Sequence, residues 1–230
     1  MKPPNIKAKD FLDYFFPIRC LVCQEITNQE NTLCMKCSSK LKFSQAHLNF
    51  QENELTELFH GRIHLDRAYF HLRNDSEGMA KKLIHQIKYN SNFELIDLLG
   101  KSVKEKLKNE FDHSWILPVP LNPKKEKQRG YNQSEKIAQS IFQKDQILNN
   151  LVKRELHTKS QTGFGKFQRW SNMENAFQLN EEVLNEIGEN DSLTIVDDVV
   201  TTGSTVEAIF VELKKCKPNL NFSLFTLLKA

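Results

Sequence analysis

Two groups of residues in this sequence have the types and spacing to do chemistry. The first is Asp197-Asp198 followed by Thr201-Thr202-Gly203-Ser204-Thr205. Adjacent carboxylates are acceptors suited to a ribose diol or to waters on Mg2+. A hydroxyl-rich turn at a helix N-terminus suits a phosphate, because unpaired N–H groups and the helix dipole face outward there. Gly203 lets the backbone approach closely, and the Thr and Ser hydroxyls add donors. Together they describe a sugar-phosphate site. The alternative is a capped helix after a core strand with solvated acids; a bare Asp-Asp pair would favour it, and the length of the whole stretch argues against it. The second group is Cys20, Cys23, Cys34 and Cys37, two C-x2-C pairs ten residues apart. Four thiolates at this spacing converge on a structural Zn2+, with two disulfides or an iron–sulfur cluster as the competing readings. Cys216 stands alone and reads as a partly buried thiol in the final helix.

Leu193 to Val196 is an uncharged aliphatic and β-branched run, the pattern of a strand buried on both faces, and the acids fall at its C-terminal end. Val206, Ile209, Phe210 and Leu213 then follow at helical spacing. Upstream, a strand over 68–72 precedes a helix over 77–89 and a second helix to about Asn109. The next strand, 114–121, ends at Pro118 and Pro120, which cannot donate to a central ladder. A loop over 122–135 holds Lys124, Lys125, Lys127 and Arg129, turns at Gly130, and offers Asn132 or Ser134 as the cap of a helix through Ile141. A weaker strand is expected over 150–154, a long polar segment over 158–172, and a closing strand over 222–228. This alternation implies an α/β fold, a parallel sheet with helices on both faces, and it places the acid pair in the fourth βα unit.

At 230 residues the chain has room for one substantial core and a small appendage, read as an N-terminal knuckle and connector over 1–66 and a core domain over 67–230. With 39% hydrophobic and 27% charged residues and no apolar run near the 18 or so that span a bilayer, neither a transmembrane segment nor membrane insertion is expected. The first residues lack a cleavage-site pattern, so a cytoplasmic location is expected. A net charge of +3 does not by itself imply nucleic acid, but its distribution is uneven. Residues 120–136 hold five Lys/Arg against two acids and 152–173 hold five against one, leaving the remainder net acidic. Arg129 would lie at a strand's C-terminal end, where open α/β sheets bind ligands, and is read as facing an anion. Gln161, Arg169 and Asn172 could position a phosphate or an amide, while Phe164, Phe167 and Trp170 could pack or stack.

Four features in order carry a resemblance to the ComF family of competence-related, type I phosphoribosyltransferase-like bacterial proteins. They are the four-cysteine knuckle, Pro118-Val-Pro-Leu121 with Arg129-Gly-Tyr-Asn-Gln133, Thr158-x-x-Gln161 with Arg169-x-x-Asn172, and Asp197-Asp198 with Thr201-Thr-Gly-Ser-Thr205. The resemblance covers nearly the full chain and implies a type I phosphoribosyltransferase-like fold. It implies a 5-phosphoribosyl 1-diphosphate (PRPP) site with Mg2+, in which Asp197 and Asp198 hold the ribose and Thr201, Thr202, Gly203, Ser204 and Thr205 hold the 5-phosphate. Arg129 would lie at the diphosphate, and the segment with Gln161 and Arg169 would be a loop that closes over the site. One departure is Lys88-Tyr-Asn-Ser-Asn92, where the family often has Gly after Lys-Tyr; Asn tolerates left-handed geometry and would preserve the turn.

Two functions are compatible with these residues. One is a phosphoribosyltransferase whose acceptor no motif identifies, and whose protein groups act by electrostatic positioning. The other is a single-stranded DNA-binding competence factor working with DNA-uptake machinery, in which the phosphoribosyl site is a sensor or phosphate site. Basic segments interleaved with Tyr131, Phe164, Phe167 and Trp170 would supply its charge and stacking faces.

Overall fold

The computed structural model describes residues 17–27, 33–154 and 177–230. Its centre is a four-stranded, all-parallel sheet of β1 (Arg67–Arg73), β6 (Asn221–Lys229), β5 (Ser192–Val200) and β2 (Ser114–Pro118), in that spatial order. Leu193, Thr194, Ile195 and Val196 are fully buried, as their composition requires of a central strand. The Thr194 hydroxyl is satisfied by Ser114 Oγ at 2.7 Å across the β2–β5 ladder, so a hydroxyl in this core position costs little. Strand β5 runs further than expected, to Val200, because Val199 and Val200 still pair with Leu228 and Lys229. The acids therefore sit within its last paired residues. The short β3 (Val152–Arg154) does not join this sheet: it pairs antiparallel with β4 (Phe177–Leu179) in a separate ribbon. Within the parallel sheet, the acid-bearing strand is thus third in chain order rather than fourth.

Helices α3 (Met79–Tyr89) and α4 (Phe93–Leu107) follow β1, after the short α1 (Met35–Ser38) and α2 (Glu54–Glu57). Helix α3 turns its buried Met79, Ala80, Leu83, Ile84 and Ile87 to the core. Its start is held by Asp75, whose two carboxylate oxygens each accept an N–H at 2.9 Å, from Met79 and Ala80. Helix α4 meets α6 (Gln133–Ile141) so closely that a Cβ on Gly100 would lie 2.6 Å from Ser140 Oγ. The basic run after β2 is not a loop: residues 123–129 form α5 (Pro123–Arg129), capped by Asn122, opened by Pro at its first turn and closed by left-handed Gly130. With no buried residue on α5, its Lys side chains point to solvent.

After β5 comes α8 (Ser204–Cys216), preceded by α7 (Glu181–Leu184). Phe210 of α8 packs on Phe222, and Phe142 at the end of α6 packs on Phe225. Phe222 and Phe225 alternate in facing along β6, so helices cover both faces of the sheet. Cys216, the last residue of α8, is exposed rather than partly buried. No described helix is long and apolar enough to cross a membrane.

Candidate functional site

The acid pair is placed by β5 and tied to two neighbouring elements. Asp197 Oδ1 accepts the N–H of Asp198 at 2.8 Å and the Ser134 hydroxyl at 3.2 Å. Ser134 is presented by the first turn of α6, where Asn132 caps its N–H at 3.0 Å and donates to Val119 O at 3.0 Å, fastening the helix to the end of β2. Asp198 is only 3% exposed, and its Oδ2 lies 2.9 Å from the Lys88 ammonium at the last turn of α3. Burial, and then the charge of Asp198, push the Asp197 carboxyl up to about 8, against the Asp198 N–H, Lys88 and Ser134.

The turn beyond is shaped by what lies beneath it. Gly203 adopts φ +75°, and a Cβ there would meet the ring of fully buried Phe59 at 2.4 Å. Only glycine satisfies both conditions. Helix α8 begins without a side-chain cap, so its leading N–H groups have no side chain spending them. Asp197, Val199, Val200 and the residues from Thr201 to Val206 line a cavity of about 40 Å³ there. Thr201 and Thr202 are exposed, Ser204 and Thr205 half-buried. From behind, Arg62 donates to Thr202 O at 2.8 Å and pairs with Glu207 in the first turn of α8.

Arg129 closes the last turn of α5 with Nη1 on Gln133 Oε1 at 2.9 Å and Nη2 3.3 Å from the Tyr89 hydroxyl, its guanidinium 4.9 Å from the Tyr89 ring centre. Each partner adjoins a residue holding an acid: Gln133 precedes Ser134, and Tyr89 follows Lys88. Arg129 thus contacts the sequence neighbours of both residues that hold the acids. Gln161 and Arg169, with Asn172, Phe164, Phe167 and Trp170, lie outside the described residues. Tyr131 does not offer a stacking face: it is 9% exposed, its hydroxyl donates to Ile87 O, and its ring abuts Phe93. Exposed aromatic surface instead comes from Tyr89 and Phe93, flanked by Arg129 and Lys136.

Lys88, Ser134, Phe59 and Arg62 were not legible as site residues. Lys88 lay in a stretch notable for its missing glycine, and the left-handed residue that rescues that turn is Ser91, at φ +49°, not an Asn. Phe59 and Arg62 come from the connector, whose sequence has no motif.

At the other functional centre, the sulfurs of Cys20, Cys23, Cys34 and Cys37 all lie within 4.8 Å of one another. A tetrahedron with Zn–S bonds of about 2.3 Å has edges of about 3.8 Å, so the residues fit zinc with little movement. Cys20 N–H bonds Glu25 O at 2.8 Å, and left-handed Gln24 turns the first knuckle; the second is built on the start of α1, where the Cys34 N–H donates to Cys20 Sγ at 3.3 Å. Burial pushes the Cys20 thiol up, but the N–H groups of Cys34, Cys23 and Val22 bring it down to about 6. Cys37 is driven up by burial and by the three neighbouring sulfurs, crowding that a bound cation relieves by taking thiolates. The knuckle docks on the core: Asn92 Nδ2 donates to Leu21 O at 3.0 Å and Gln86 Nε2 to Val22 O at 3.4 Å.

A parallel α/β sheet with an acid pair before a hydroxyl-rich helix start, joined to a four-cysteine zinc knuckle, defines the class of protein. Residues 11–48 match the double zinc ribbon domain family. Competence protein F of Haemophilus influenzae is 39% identical over 106 residues, a match covering 44% of each chain. The DNA utilization protein YhgH of Escherichia coli K12 is 30% identical over 201 residues, 83% of this chain and 81% of that one, and YhgH of Shigella flexneri is 28% identical over the same length. The chain belongs to the ComF family.

Proposed function

We propose that this protein binds PRPP together with Mg2+ at the turn from Thr201 to Thr205 and acts in competence-related DNA uptake. The observation that carries the ligand is the uncapped start of α8 behind left-handed Gly203, entered directly from Asp197 and Asp198. Backbone N–H groups and the hydroxyls of Thr201, Thr202, Ser204 and Thr205 hold the 5-phosphate. The acids accept from the ribose hydroxyls, and Arg129 meets the diphosphate, joined by Arg169 and Gln161 as the family resemblance implies. Mg2+ bound to the diphosphate offsets its charge. If transfer follows, the protein's part is to orient the ribose and stabilise the departing diphosphate, with no covalent nucleophile. The proposed organisation is a knuckle and connector over 1–66 and a phosphoribosyltransferase-like domain over 67–230. The role in uptake is supported by the names of the relatives, competence protein F and DNA utilization protein.

Calorimetry with PRPP and Mg2+ is the test. The wild-type protein should bind, and Asp197→Asn with Asp198→Asn should weaken binding at least tenfold while the fold, followed by circular dichroism, persists. A folded wild-type protein that takes up no PRPP would end this reading.

A second reading, a single-stranded DNA-binding factor in which the same loop is a sensor or phosphate site, is favoured by one observation. Tyr89 is 56% and Phe93 44% exposed, each beside a cation, and α5 carries a solvent-facing basic run next to them. Aromatic faces among cations hold single strands without sequence choice, and such binding weakens with salt. Fluorescence anisotropy with a labelled oligonucleotide decides it: Tyr89→Ala with Phe93→Ala should weaken binding several-fold, and no binding by the wild type at low salt would exclude it.

A further inference from the structure

The acid pair already has a cation, and it belongs to the protein. Lys88 comes from the last turn of α3, where the helix dipole favours positive charge, and its side chain is 24% exposed. Its Nζ lies 2.9 Å from Asp198 Oδ2, while the Asp198 side chain is 5% exposed. Asp197 gives one oxygen to the Asp198 N–H and the Ser134 hydroxyl. Of the four carboxylate oxygens, one is thus taken by an ammonium and one by two donors.

We infer that Lys88 is a positioning residue that stands in the place of a divalent cation at Asp198, so the acid pair of the ligand-free protein does not bind metal. Two physical facts support this. Mg2+ is reluctant to lose its water shell and needs accessible carboxylate oxygens, which a nearly buried Asp198 does not provide. A second cation brought to Asp198 would also lie within a few ångströms of the Lys88 ammonium, where repulsion is little screened by solvent. The consequence, which rests on the PRPP reading, is an order of binding. Metal arrives on the diphosphate and never by itself, and the ribose meets an acid pair in which Lys88 already holds Asp198 in place. Lys88 also links the site to Tyr89 and Arg129, because the same helix end carries both Lys88 and the ring under the guanidinium.

The test needs no sugar phosphate and so stands or falls apart from PRPP binding. Full-length, zinc-loaded protein is titrated with Mn2+ and free Mn2+ is read by electron paramagnetic resonance. Wild type and Lys88→Arg should show no site that depends on Asp198, judged against Asp198→Asn. Lys88→Met should gain one, at least tenfold tighter than any wild-type binding, and Lys88→Met with Asp198→Asn should lose it again. If Lys88→Met does not fold, Lys88→Gln replaces it in the same series. The inference is overturned if wild type binds Mn2+ in an Asp198-dependent way, or if removing the Lys88 charge leaves Mn2+ affinity unchanged. PRPP calorimetry failing alongside the expected Mn2+ result would remove the ligand reading and leave the role of Lys88 intact.

Discussion

On β1, His71 is 1% exposed, shares a 2.8 Å hydrogen bond between Nδ1 and the Tyr69 hydroxyl, and has its Nε2 buried without a hydrogen-bond partner among the described residues. The Phe43 ring lies edge-on 5.1 Å away. Burial, reinforced by Lys106 and His47, lowers the imidazole to about 4. Between that value and an ordinary 6.5 or so, the unfolded chain binds a proton that the folded chain does not, so stability rises with pH. The contribution is fully present above about pH 6.5 and is lost as pH falls toward 4, by about 3 kcal/mol in all. Urea unfolding at pH 7 and pH 5 should therefore show a smaller loss for His71→Gln than for wild type, the groups common to both cancelling in the comparison. Equal losses would mean that His71 titrates normally. Two buried polar residues of β5 are satisfied differently: Thr194 finds the Ser114 hydroxyl, whereas Asp198 has a charged partner from a distant helix.

Among the elements, the connector matters more than its sequence suggests. It delivers Leu55 of α2, and after it Phe59 and Leu65, to the same apolar core as the sheet, and Phe59 becomes the floor under Gly203. Arg62 holds the carbonyl of Thr202 and the carboxylate of Glu207 at once. Arg62→Ala should leave stability within about 1 kcal/mol, since the pair is partly exposed, yet weaken PRPP binding several-fold by loosening the turn. Lys would not replace it, because one ammonium cannot span both acceptors as a guanidinium does. Thermal melts with calorimetry check both halves; PRPP affinity equal to wild type in the Ala variant would show that the turn keeps its shape unaided. Helix α5 shows the reverse case, in which local chemistry was present and underread. Asn122, Pro123 and Gly130 are a cap, a first-turn proline and a left-handed stop, and they make a helix out of what the charge run suggested was a loop.

At the scale of the molecule, the zinc knuckle and the acid pair share α3. Gln86 and Asn92 bond the knuckle's carbonyls, and Lys88 lies between them in sequence. Cys20, Leu21 and Val22 are buried in the common core. Because zinc binding and knuckle folding are coupled, removing the metal should release those contacts. Hydrogen exchange after chelation should show faster exchange in Met79–Tyr89 as well as in the knuckle, while β5 and β6 remain protected. Unchanged exchange in α3 would mean that the knuckle is an independent appendage.

The division between what was readable and what was not follows from the range of the interactions. Cysteine spacing and the alternation of strands and helices are local patterns, and they were enough to indicate a zinc knuckle and a parallel α/β sheet; the acid pair with its hydroxyl turn was equally local, at the end of a core strand. Strand order was not local: β6, last in the chain, lies between β1 and β5, and β3 leaves the sheet for a ribbon with β4. Nor were the partners of the acids, since Lys88 reaches Asp198 across 110 positions and Ser134 reaches Asp197 across 63. Which side chain neutralises a buried charge depends on where helices pack around it. The acid pair was therefore visible in the chain, and its occupied state only in the fold.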